Sequence, residues 1–366
     1  MSELAFYIRL PKPSYVLSQL SPRQKPDPEL NQLIHHLAEI YQLGEIQTCY
    51  RAPRTNSLNF FATTPKGKFV IRRQNLSETA VAYEYEILSF LLNRNFPAPR
   101  MHLSKMGEAW ATIGEARYSV YEFIAGYAPA NFVWWPGTKR KVFVRCGRGL
   151  GEYHQAITGL EPAVFKWNGY RPTDYKRWRP GDWFRQAVAE IRSWLQNSAV
   201  DQPIDDFART HLDDISRLLE LEEIVESRTD LSKLVIHGDY APWNVLFRSD
   251  HTPFIIDFNE SRLDLKIYDL MLATFWFAWR NDQLDADRVS ALQAGYRQTN
   301  QLNDSDLTLA GQVFRWVMGR SLIERLYHHY NGYRKINNDP AILQEQYAMC
   351  VFAKEQPHQL TVGLRG

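Results

Sequence analysis

Residues 234–259, LVIHGDYAPWNVLFRSDHTPFIIDFN, concentrate the side chains best suited to chemistry. His237, Gly238 and Asp239 follow one apolar run, Asn244 opens a second, and Asp257 stands at the end of a third. An amide oxygen and a carboxylate, from Asn244 and Asp257, are hard oxygen ligands. They suit a magnesium ion that keeps several waters and holds a nucleotide's phosphates. Asp239, not obliged to bind metal, is placed to take a proton from an attacking hydroxyl. Phosphoryl transfer needs this division of labour. HGD alone arises often by chance, and an aspartate after a strand commonly caps a turn. HGD-x4-N with IIDF centred 18 residues beyond Asp239 is far more specific.

These residues need strands and loops to aim them. Pro242 keeps the loop after Asp239 from becoming a regular helix. VLF and PFII read as two short strands whose tight connection sets Asn244 and Asp257 side by side. Upstream, prolines 11, 13, 22, 26 and 28 mark an extended leader. A helix should follow, capped by Asp27, with Leu30, Leu33, Ile34, Leu37 and Tyr41 on its apolar face and Gly44 at its end. LNFFATT and KFVIRR flank PKG as one hairpin, and AWATI and YSVYEF flank GEAR as another. Between them residues 77–95 have helical spacing, with Ser77 as the cap. After Gly126 the spacing predicts helices over 139–158, 183–196, 206–227, 265–281, 286–298, 305–332 and 340–354, with KLVI as a further strand. The expected class is α+β: residues 1–44 as leader and first helix, 45–125 as a small antiparallel-sheet lobe with one helix, and 126–366 as a larger, mainly helical lobe.

Composition limits the alternatives. A net charge of +2 over 366 residues argues against a partner held by bulk electrostatics, so no nucleic acid is expected. Cys49, Cys146 and Cys350 lie far apart with no CxxC pair, which predicts neither a disulfide framework nor a zinc knuckle. The N-terminus lacks a signal-peptide pattern, and the apolar run at 270–279 is too short to span a bilayer. A soluble, cytoplasmic protein without a membrane partner is expected, as monomer or homodimer.

HGDYAPWNVLF and FIIDFN together resemble the aminoglycoside phosphotransferase and choline kinase superfamily, whose fold is protein-kinase-like and two-lobed. The resemblance spans roughly residues 45–332. It implies Asp239 as catalytic base, Asn244 and Asp257 as magnesium ligands, and ATP as phosphoryl donor. It also implies that His237 props the catalytic loop and Asp269 of YDLML braces it. In the small lobe it implies that Arg72 of KFVIRR holds the nucleotide's phosphates where a lysine is common, with Glu84 to steady it. Arginine and lysine are not interchangeable there, and an exposed strand cation is the other reading of Arg72. The loop APRTNSLNFF has no glycine, so Asn56 and Ser57, with Arg54, Thr55 and Asn59, are the candidate phosphate donors, or form an ordinary polar turn. YSVYEFIAG resembles the hinge, where backbone groups around Glu122 and Phe123 meet adenine. His154 of the LGxxH-like helix reads as a packed residue.

The implied activity is that of an ATP- and magnesium-dependent kinase phosphorylating a hydroxyl of a small molecule. A catalytically inactive nucleotide-binding pseudokinase is the alternative, and a metallohydrolase lacks further ligands near the motif. The aromatic stretch 164–184, and Trp276, Trp279 and Arg280 on one helical face, fall where the superfamily builds its substrate pocket. Core packing is the competing role for the two tryptophans. Aminoglycoside, homoserine, choline and sugar substrates all stay open.

Overall fold

The computed structural model describes residues 28–51, 58–74, 76–129, 137–160, 181–197, 202–331 and 340–364. The leader before Pro28, the loop residues Asn56 and Ser57, and residues 164–180 of the aromatic stretch lie outside the described residues. The described residues fall into two compact units. One comprises those within Met1–Thr138, Gly159–Asp174 and Pro242–Glu260, the other those within Lys139–Thr158, Tyr175–Ala241 and Ser261–Gly366.

The first unit is built on a six-stranded antiparallel sheet. Strands β1 (Thr48–Arg51), β2 (Asn59–Thr64), β3 (Gly67–Gln74), β6 (Ala116–Glu122) and β4 (Met101–His102) lie in that order, and β5 (Ala111–Ile113) also pairs with β6. Both foreseen hairpins form, in registers Thr64↔Gly67 and Ile113↔Ala116. Alternation along a strand sends successive side chains to opposite faces. Phe69, Ile71, Tyr118 and Val120 therefore share one face, in a core with Ile34 and Leu37 of helix α1 (Pro28–Ile40) and with Tyr41 just beyond it. The opposite face presents Val70, Arg72 and Gln74 beside Ser119 and Tyr121.

Helix α1 stops earlier than Gly44. Gln42 takes a left-handed conformation (φ 53°), and the Leu43 amide reaches back to the Ala38 carbonyl at 2.8 Å. A left-handed C-cap has ended the helix. Helix α2 (Glu78–Asn93) starts as foreseen, the Ser77 hydroxyl accepting from the Ala80 amide at 3.3 Å. Its buried side includes Val81, Glu84, Ile87, Leu88 and Leu91. A hairpin of β8 (Val245–Phe247) and β9 (Pro253–Ile255) completes this unit. Tyr127 exchanges two backbone bonds with Phe247, and a Cβ at Gly126 would sit 2.8 Å from the Phe247 carbonyl oxygen, so that approach needs glycine.

The second unit is mainly helical: α3 (Arg140–Ile157), α4 (Gly181–Asn197), α5 (Pro203–Arg217), α6 (Leu221–Glu226), α7 (Lys266–Ala278), α8 (Ala286–Arg297), α9 (Asp304–Tyr330) and α10 (Pro340–Glu355). The single helix expected over 206–227 is broken by a 3-10 turn at Leu218–Glu220. Strand β7 (Lys233–Ile236) pairs antiparallel with β10 (Arg262–Leu265), a strand the sequence reading did not foresee and whose last residue it placed in the helix expected over 265–281. That pairing sets where α7 begins. The same expected helix ends at Ala278 rather than 281, because Trp279–Arg280 (β11) turns back onto Gln283–Leu284 (β12). Asn281 and Asp282 carry the turn at φ 48° and 60°. Two consecutive positive φ angles suit a two-residue hairpin, and Asn and Asp tolerate them best.

Among the described residues no helix is long and apolar enough to cross a membrane.

Candidate active site

In the second unit, β7 delivers His237, Gly238 and Asp239 at its C-terminal end, and the loop that follows is held from α7. The Asp269 carboxylate accepts the His237 amide at 2.7 Å on one oxygen and the Gly238 amide at 3.0 Å on the other. His154 of α3 adds its Nε2 to the first oxygen at 3.1 Å, while its Nδ1 meets the Tyr296 hydroxyl at 2.8 Å. His154, His237 and Asp269 are fully buried. Burial by itself would raise the Asp269 pKa, yet the bonds from His154 and the His237 amide hold it below the usual carboxylate range. Burial lowers the His154 pKa despite the neighbouring carboxylate, so its imidazole is neutral at neutral pH. Asp269 thus stays charged and accepts both loop amides.

Two features shape the loop. Gly238 lies at φ +79°, a conformation that side chains disfavour. The His237 ring then accepts the Asp239 amide on Nδ1 at 3.3 Å, which requires its proton on Nε2. The His237 side chain is thus bonded to the backbone of its own loop. Tyr240, fully buried, anchors the far side by donating to the Cys146 carbonyl at 2.6 Å and packing on Phe277. The Asp239 side chain, by contrast, is only partly buried. A rigid frame surrounds one accessible carboxylate.

In the first unit, the β8–β9 register Val245↔Ile255 continues one step, the Ile256 amide donating to the Asn244 carbonyl at 3.0 Å. That sets Asn244 and Asp257 at the same open end of the hairpin. Asp257 lies two positions beyond β9, at φ +67°, an uncommon conformation for a residue with a side chain. Its Oδ1 accepts from Arg72 Nη2 at 2.9 Å, with side-chain exposures of 29% and 14% respectively. The Arg72 Nε donates to Asn59 Oδ1 at 3.4 Å. Burial disfavours a charged Arg72, but Asp257, Tyr121 and Glu84 together raise its pKa well above the ordinary value.

The expected partnership between Arg72 and Glu84 takes a different form. Among the described residues the ion pair of Arg72 is with Asp257, not with Glu84. Glu84, 2% exposed, accepts the Tyr121 hydroxyl at 2.9 Å, and that hydroxyl accepts from Gln74 Nε2 at 2.9 Å. Burial pushes the Glu84 carboxyl up to about 7, against the pull of Arg72. Sequence reasoning missed Tyr121. Its only signal was register, since Tyr121 stands opposite Val70 and one step diagonal from Arg72.

The other expected positions divide. Neither hinge amide is open, because Glu122 donates to the Arg100 carbonyl at 2.8 Å and Phe123 to the Lys68 carbonyl at 3.0 Å. These bonds complete the sheet edge. Among the described residues the next amide, that of Ile124, makes no hydrogen bond. Trp279 is buried against Phe275 and Phe352, which makes it core rather than pocket lining. Arg280 lies on β11, 3.9 Å from Asp285, and Trp276 stays on α7 and partly buried, so the three do not share a helical face.

A magnesium ion fits the first unit's donors. Asn244 and Asp257 supply hard oxygens, and Asp257 Oδ2 makes no hydrogen bond among the described residues. No group of three or more His, Cys, Asp or Glu among the described residues could form a protein-only cage. Two donors suit a cation that keeps waters and shares phosphates.

Comparison with known proteins gives the family and the fold. The model of the phosphotransferase enzyme family matches residues 51–302. Homoserine kinase from Zymomonas mobilis is 23% identical over 273 residues, 72% of this chain and 77% of that protein. Homoserine kinase from Bradyrhizobium sp. (strain ORS 278) is 24% identical over 294 residues, 78% and 81% of the two chains. The crystal structure of a spectinomycin phosphotransferase with ADP and spectinomycin superimposes with a TM-score of 0.62 at 15% identity, covering 90% of this chain and 98% of that one. The fold is therefore α+β and protein-kinase-like. With the family match covering both the Arg72 strand and the Asp239–Asp257 motif, this chain belongs to the phosphotransferase enzyme family.

Proposed function

We propose that the protein is an ATP- and magnesium-dependent kinase that phosphorylates the hydroxyl of a small amino alcohol or hydroxy amino acid. The observation that carries the reading is the bracing of the Asp239 loop. Asp269, itself held by His154, bonds its backbone, while Asp239 stays partly accessible. A pseudokinase has no use for such a frame around one acid.

In this reading Asp239 accepts or orients the proton of the substrate hydroxyl as it attacks the γ-phosphate. Asn244 and Asp257 would hold magnesium, which neutralises charge on the phosphates when bound. Arg72 carries a fixed positive charge for the same phosphates, exchanging its bond to Asp257 for one to a phosphate oxygen. Positioning and charge stabilisation supply most of the rate. The homoserine kinases among the relatives favour a small acceptor with a single amino group over a polycationic one. The reaction belongs in the cytoplasm, where ATP is found.

The test is magnesium-dependent ATP consumption by wild type and Asp239→Asn, with L-homoserine, ethanolamine, choline, aminoglycosides and sugars offered separately. Turnover by wild type alone on an amino alcohol or L-homoserine is the expected result. Stimulation only by aminoglycosides or sugars overturns the substrate class. Equal turnover by both proteins overturns the role of Asp239.

A further inference from the structure

The contact between the nucleotide-holding cation and the helix carboxylate is indirect in this chain, and one side chain occupies the gap. Tyr121 donates its hydroxyl to Glu84 Oε2 at 2.9 Å and accepts from Gln74 Nε2 at 2.9 Å. The Arg72 guanidinium carbon stands 5.8 Å from the centroid of the same ring. β3 and β6 impose this arrangement: Val70 pairs with Tyr121 and Arg72 with Ser119, so Arg72 and Tyr121 are diagonal neighbours on one sheet face. Glu84 approaches that face from α2 and is buried.

We propose that Tyr121 is a positioning residue for phosphoryl transfer, joining Glu84 to Arg72 in place of a direct carboxylate–cation pair. The inference rests on the reading of Arg72 as the cation that holds the nucleotide's phosphates. A guanidinium is planar and is held in two ways at once, by bonds at its edge and by an aromatic ring at its face. Here Asn59 and Asp257 take the edge, and Tyr121 takes the face. The edge bond to Asp257 is the one a phosphate must replace. The ring, locked by Glu84 and Gln74 through its hydroxyl, keeps Arg72 in place while that exchange occurs. Arginine at this position needs such a platform, whereas a lysine ammonium would meet the glutamate as a point charge.

Binding of magnesium–ADP, measured by calorimetry between pH 6 and 8.5, tests the idea on Tyr121→Phe, Glu84→Gln, their combination and Arg72→Met. Thermal melts confirm that each variant is folded. Tyr121→Phe keeps the ring and removes only the hydroxyl, and is expected to weaken ADP binding about 3- to 10-fold. The double variant should be no weaker than the weaker single one. The groups that face Glu84 are Arg72 from β3, Tyr121 from β6 and Asp257 beyond β9. Removing the Tyr121 donor should move the affinity inflection near pH 7 upward, and Glu84→Gln should abolish it. The nucleotide's own ionisation is common to all four. Additive losses, or Tyr121→Phe binding as wild type while Arg72→Met loses at least tenfold, overturn the role of Tyr121. Unchanged binding by Arg72→Met instead overturns the phosphate-holding role on which the inference rests.

Discussion

Asp269 and Asp257 are both carboxylates that accept bonds from distant parts of the chain, yet their surroundings differ in kind. Asp269 is sealed, and it bonds two backbone amides and a buried neutral histidine. None of those donors can leave without breaking β7 or α3 away from the core. Asp257 is 29% exposed, sits at a left-handed corner, and bonds the end of one arginine side chain. That partner can be traded for another cation at little cost to the fold. The difference teaches where permanence and exchange are needed. In the proposed mechanism the frame of the Asp239 loop must not move, whereas residues that would receive a metal and its phosphates must release what they hold beforehand.

The largest effect should come from the one acid that the frame serves. Asp239→Asn is expected to lower turnover by roughly 10²–10⁴-fold with an unchanged melting temperature, checked by steady-state assay beside calorimetric unfolding. A matching loss of stability would mean that Asp239 is part of the frame and would erase the contrast.

Asp269→Asn comes next, and its effect should fall on stability. The amide presents a donor where the carboxylate accepted three, leaving a buried N–H facing an N–H. Urea unfolding should show a loss of about 2–4 kcal/mol. A loss below about 0.5 kcal/mol would show that the frame is not rigid.

At the exchangeable end, Asp257→Asn keeps a residue that tolerates the left-handed corner but removes the charge. Magnesium-dependent ADP binding should weaken at least about tenfold, since a charged ligand is lost. Metal-free ADP should bind as well or better, Arg72 having been released. Equal weakening with and without magnesium would mean that Asp257 acts through Arg72 rather than through the metal.

The smallest effect is a change in pH dependence. The Glu84 carboxyl is raised to about 7 in the folded protein from an ordinary value of 4.5, mainly by burial. Between these values the folded state binds the extra proton, so stability falls as pH rises from about 4.5 to 7 and levels off above. The total is at most about 3 kcal/mol. Glu84→Gln should flatten that fall in urea titrations at pH 5 and 8. An unchanged slope would locate the pH dependence elsewhere.

Much of the fold was legible because its signals are local. Ser77 caps α2 through a bond three residues long, and the PKG turn joins strands whose alternation is visible in seven letters. The loop of Asp239 was legible too, since a strand, a positive-φ glycine and an acid fall in consecutive positions. Where the reading failed, long-range pairing had won over local spacing. Trp279 and Arg280 continue a helical pattern, but the Asn281–Asp282 turn folds them into a hairpin and sends Trp279 into the core against Phe352. β10 forms because β7 lies open to pair with it, not because RLDL demands a strand.

The sequence by itself determined which residue types this protein offers to the proposed chemistry: the acid at 239, the hard oxygen donors at 244 and 257, and the cation at 72. Those choices are written in side-chain chemistry and short spacing, which no packing alters. Only the tertiary structure decided who holds whom. Arg72 and Asp257 lie 185 positions apart, and Glu84 reaches Tyr121 across 37. Such partners are set by sheet register and by which helix covers which face, and those depend on the burial of the whole core rather than on any neighbouring letters.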